Sequence, residues 1–220
     1  MFNKKAFDEL AELYGEHLIK INPPLPYWYT AQQEFQKKWT LSAFDISSMI
    51  DQSIDESSGK WSLPLNEAKS VQLIFSKVNS DLLIATWKDL VNEQKSLDGR
   101  IDRFLFHMDL LLSETNADRI IIPDHHHNKY IISIYLCFHS PSLYFPFDYQ
   151  LFSDAMIKMR ALNIPEEYEI ERYYKIGRII TKYLIMNERI LEYYANNNII
   201  HYPINQLIAY DFLRFVNRNH

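Results

Sequence analysis

Four cations, Lys175, Arg178, Lys182 and Arg189, recur at helical spacing within residues 166–195. At about 100° per residue they fall within roughly 60° of one another on a single helix. Such a row can follow a phosphate backbone, because each Lys or Arg that neutralises a phosphate releases a counterion. Tyr174 and Tyr193 stand at its edge, where an aromatic ring can stack on a base. Glu171 shares the row and weakens its field, and a solvated helix face has the same pattern. These four cations form the candidate nucleic-acid-binding set.

Other chemistry-bearing residue types point elsewhere. In Asp98-Gly99-Arg100-Ile101-Asp102-Arg103-Phe104, the two arginines stand three apart with Asp98 and Asp102 beside them. An ion-pair network at a helix start accounts for this, although guanidinium forks also suit phosphate. His125, His126 and His127 follow Asp124. Adjacent side chains diverge on a helix or strand, and metal ligands usually recur three or four apart. The expectation is a polar loop with Asp124 as an N-cap, and no metal centre. His107 and His139 join the run only through tertiary contact. Asp148 precedes a helical pattern starting at Tyr149 and reads as its N-cap. No phosphate loop, nucleophile elbow or Cys-x-x-Cys occurs, so no catalytic residue and no cofactor is assigned, and binding is favoured over catalysis.

The elements that must position these residues are helical. Amphipathic spacing covers residues 2–21, with a stop at Asn22-Pro23-Pro24. The segment Pro23–Pro26 reads as an ordered connector, with docking into an aromatic groove as the alternative. Thr30 and Gln33 have capping-box spacing for a helix to about Lys38. Residues 40–62 mix short helical patterns with the turn-like run Glu56-Ser57-Ser58-Gly59. Helical spacing returns over 66–78, 81–91 and 97–113, then irregular polar sequence broken at Ile120–Pro123 covers 114–128. The apolar run 129–138 reads as a buried helix. Further helices are expected at 149–160, 166–195 and 204–217. In the longest, Ile176, Ile180, Tyr183, Leu184 and Leu191 form the apolar side.

Composition agrees. Fifteen Tyr and thirteen Phe argue for a packed core. Four glycines are too few for a hairpin-rich β fold. The single cysteine, Cys137, excludes an intramolecular disulfide and sits in an apolar run as a small buried hydrophobe. A net charge of −5 does not suit a strongly basic nucleic-acid binder but leaves room for a local basic face. Acids at Asp8, Glu9, Glu12 and Glu16 interrupt any signal-peptide core, and no stretch reaches the length of a membrane span. The expectation is therefore an all-α, single-domain array (residues 1–220) of eight to nine helices, cytoplasmic and without membrane contact.

Four stretches together resemble a helical region of bacterial proteins linked to modification-dependent restriction, some joined to McrB-like AAA+ GTPases. They are Trp39–Asp45 with Lys60-Trp61, Leu97–Phe104, His125–Tyr135 and Glu169–Lys175. The resemblance implies an accessory or target-recognition role in a defence system, beside a partner such as an AAA+ motor or nuclease. It carries no functional residue onto these positions, and the motor itself is absent. Pro141–Asp148 also resembles the segment before the catalytic aspartate of helix–hairpin–helix DNA glycosylases, which implies Asp148 as an acid. The glycine-rich hairpin of those enzymes is missing here. The functional expectation is a non-catalytic helical module acting with nucleic acid. A protein–protein interaction module is the first alternative, and a glycosylase-like or other hydrolase the second.

Overall fold

A computed structural model describes residues 2–40, 45–54, 63–117, 121–199 and 204–219. The turn-like run Glu56–Gly59, residues 41–44, Lys60-Trp61 and Ile120 lie outside the described residues. Among the described residues there are eleven helices and no strand. They are α1 (Lys4–Ile21), α2 (Tyr27–Lys38), α3 (Ile46–Ser53), α4 (Leu63–Val78), α5 (Ser80–Leu90), α6 (Leu97–Ala117), α7 (Lys129–His139), α8 (Tyr149–Lys158), α9 (Ile170–Leu184), α10 (Glu188–Asn196) and α11 (Leu207–Asn219).

The all-α expectation holds, but the count of eight or nine is corrected for two local reasons. Asp45 caps α3 by accepting the amides of Ser47 and Ser48, which starts a helix within the mixed region 40–62. The long pattern at 166–195 is two helices. α9 ends at Leu184, and the Asn187 side chain accepts the amides of Arg189 and Ile190 to start α10. A strong N-cap residue inside a periodic run ends one helix and begins another.

The chain divides into two compact units, Met1–Leu25 with Ser140–His220, and Pro26–His139. In the first, α11 packs against α1, α8 and α9, while α10 packs on α1. Leu207, Ile208, Ala209, Phe212, Leu213 and Val216 of α11 are fully buried, as expected of a helix surrounded by others. In the second, α4 meets α3, α5, α6 and α7. α7 is buried at every position from Ile131 to Phe138, which explains its continuous apolar sequence. Among the described residues no helix is long and apolar enough to cross a membrane.

One polar chain runs through the core of the second unit. The Trp87 indole donates to Gln72 Oε1 (2.7 Å), because an indole N–H can only donate. That fixes the amide, so Gln72 Nε2 faces Tyr135 Oη (2.9 Å) and His127 Nε2 (3.1 Å). His127 Nε2 therefore accepts and the proton of the neutral ring sits on Nδ1.

Candidate functional site

α9 positions three of the four candidate cations. Its buried face is Ile170, Tyr173, Tyr174, Gly177, Ile180, Thr181 and Leu184. This differs from the expected apolar side: Ile180 and Leu184 are buried, while Tyr183 and Leu191 are exposed. The helix is rotated because Tyr173 and Tyr174 enter the core, stacking on or against Phe145 at 4.9 Å and 5.5 Å. Tyr174 and Tyr193 are thus both buried, contrary to their expected place as stacking residues, and Tyr193 Oη donates to the Pro23 carbonyl.

The rotation leaves Lys175 and Lys182 exposed and Arg178 half-buried. Arg178 Nη1 donates to the Leu143 carbonyl at 3.2 Å, which ties the guanidinium to the chain before α8. Arg178 and Lys182 line a cavity of about 190 Å³ with Ser142, Thr181, Ile185, Ile204 and Gln206. Among the described residues no carboxylate is part of that wall. Thr181 Oγ1 donates to Gln206 Oε1 at 2.9 Å, and the Gln206 amide donates to the Pro141 carbonyl at 2.7 Å. These two bonds tie α9, the start of α11 and residues 141–142 into one rim.

Arg189 stands on α10, outside the cavity wall. Its Nη1 lies 3.0 Å from Glu12 and 3.8 Å from Glu16, so acids of α1 already face it. The structure therefore brings Arg178 and Lys182 together, leaves Lys175 on the same helix, and places Arg189 on a different one. Ser142, Thr181 and Gln206 carried no sequence signal. Each is an ordinary polar residue in a different segment, and only the packing of α11 on α9 unites them.

The remaining candidate residues have structural partners. Asp148 Oδ1 accepts the Leu151 amide as the N-cap of α8. Asp124 accepts the His126 amide, a bond that holds its carboxyl below the usual range. The cap of α7 is however Asn128, which accepts the Ile131 amide, not the expected Asp124. His125 Nδ1 accepts the His127 amide, so its Nε2–H points to Asp109 Oδ1 at 3.2 Å. Among the described residues no group of His, Cys, Asp and Glu is arranged to hold a metal ion. Arg100 and Arg103 do form ion pairs, but with Glu93 and Asp89 from the preceding helix and turn. Cys137 is buried, and burial pushes its thiol well up.

No known protein family, curated protein or solved structure matches the chain.

Proposed function

We propose that the chain is a binding module whose α9 cations contact the phosphates of nucleic acid. The observation that carries this reading is the convergence of Arg178 and Lys182 on one cavity in whose wall, among the described residues, there is no carboxylate. Lys175 extends the cationic face along the same helix. Among the described residues neither Lys175 nor Lys182 has an ion-pair partner, so both charges are available. The stacking role first expected of Tyr174 and Tyr193 has no place in this reading, because both rings are buried. Contacts to phosphates without base stacking give binding that is largely independent of sequence. The resemblance to helical regions of restriction proteins suits a module of this kind working beside a motor or nuclease.

The test is fluorescence anisotropy of labelled single- and double-stranded oligonucleotides with the purified chain at rising salt. Affinity is expected to fall linearly on logarithmic axes, with a slope near −0.7 per neutralised phosphate for a single strand. Lys175→Glu with Lys182→Glu, both exposed, is expected to abolish binding, and Arg189→Glu to leave most of it. Binding that survives the first pair removes α9 as the interface.

A further inference from the structure

We infer that the α9 cavity takes a terminal phosphate monoester, so that the module recognises the end of a nucleic-acid strand. This rests on the nucleic-acid reading of α9 and goes beyond it in naming the group bound.

The charge balance favours a monoester. A phosphate monoester carries about −1.5 to −2 at neutral pH, whereas each internal phosphodiester carries a single negative charge. Among the described residues the cavity wall supplies two cations, Arg178 and Lys182, and no acid.

The donors are arranged for such a group. Arg178 Nη1 is held by the Leu143 carbonyl, which fixes the fork while other N–H groups remain to donate. Gln206 Oε1 accepts from Thr181, and its Nε2 donates to the Ile204 carbonyl at 3.3 Å. The amide is thereby oriented with one further N–H to give. Among the described residues the Ser142 hydroxyl and the Lys182 ammonium have no hydrogen-bond partner. Four donors of four types thus share one wall.

The shape adds a second requirement. The cavity holds about 190 Å³, which is more than a phosphate group alone needs. Ile185 and Ile204 make part of the wall apolar. A sugar or base attached to the phosphate would cover that apolar surface, whereas inorganic phosphate would leave it wet.

The test uses the full chain and one single-stranded oligonucleotide made with a 5′-phosphate, a 3′-phosphate or hydroxyl ends. Anisotropy is measured at fixed salt, and adenosine monophosphate serves as a competitor. One phosphorylated form is expected to bind about tenfold tighter than the hydroxyl form, a difference of about 1.4 kcal/mol. Ser142→Glu places a carboxylate against the phosphate and is expected to erase that preference, read as the ratio of phosphorylated to hydroxyl-ended affinity. Lys182→Gln serves as a second variant with little risk to the fold, because the side chain is exposed. Equal affinity for all three ends overturns the terminal site and leaves the backbone reading standing. Absence of binding by every oligonucleotide overturns both. An excess of adenosine monophosphate that leaves the preference for the phosphorylated form unchanged overturns the phosphate monoester as the group bound. A preference that survives both variants overturns the cavity as its seat.

Discussion

Gly177 of α9 packs directly beneath Phe145. A Cβ at this position would stand 2.6 Å from Cζ of the ring and closer still to Cε1. Phe145 is fully buried and stacks on Tyr173 at 4.9 Å, so it has nowhere to move. In an exposed helix, Gly→Ala gains about 1 kcal/mol. Here the overpacking cost of about 1–3 kcal/mol exceeds that gain. Gly177→Ala is expected to destabilise the chain in urea unfolding, and much less so in a Phe145→Leu background. A stabilised Gly177→Ala protein would contradict the close packing of α9.

Tyr14 and Tyr194 are 180 residues apart in sequence, yet their hydroxyls meet at 2.6 Å. Tyr194 Oη donates to Asp211 Oδ2 at 3.0 Å, so Tyr14 must donate to Tyr194. The order of the chain sets an order of costs. Tyr14→Phe removes one neutral donor, about 0.5–1.5 kcal/mol. Tyr194→Phe removes a donor to a buried carboxylate and the acceptor of Tyr14, about 2–3 kcal/mol. Denaturant midpoints of the two variants check this ranking, and a costlier Tyr14→Phe would reverse the assigned donors.

Arg100 is almost wholly buried, and its fork meets Glu93 at 2.9 Å and 3.0 Å while Nη1 also donates to the Leu90 carbonyl. Removing Glu93 takes both carboxylate oxygens from a charge that cannot return to water. Glu93→Ala is expected to cost on the order of 2–3 kcal/mol. Lys4→Ala, which breaks the exposed pair with Asp8, is expected to leave the denaturant midpoint nearly unchanged, because water screens that pair. Similar effects from the two would mean that Arg100 does not depend on Glu93.

His127 gives the protein an acid limit. Burial, followed by the neighbouring His125, lowers its pKa to about 3 from the ordinary 6.5. Between these values the unfolded chain binds the proton and the folded chain does not. The neutral ring's contribution is therefore complete above about pH 6.5 and is lost as pH falls toward about 3. Protonation would also set a new N–H against the Gln72 amide that now donates to Nε2. Wild type is expected to lose stability between pH 6 and pH 4 more steeply than His127→Gln, by up to about 1.4 kcal/mol per pH unit. Parallel slopes would show that the ring titrates in the folded chain as freely as in the unfolded one.

The sequence alone determined the local structure. Periodic apolar residues, the Asp148 cap and the stop at Asn22 are short-range features and form as the spacing implies, whereas the Thr30–Gln33 capping box does not, because α2 already begins at Tyr27 after Pro26. The boundary inside residues 166–195 is also marked in the sequence by Asn187, but one capping residue does not interrupt the apolar periodicity that continues from α9 into α10. Only the tertiary structure decided which way α9 faces. Its turn toward the core depends on Phe145, on the far side of α8 in the chain, meeting Gly177, Tyr173 and Tyr174, a shape match that periodicity cannot express. The same packing decided which cations converge. Arg178 and Lys182 share a wall with Ser142 and Gln206 because α11 lies against α9, while Arg189 meets Glu12 because α10 lies against α1. Cationic spacing marks a helix face, but what that face meets is set by contacts between segments far apart in the chain.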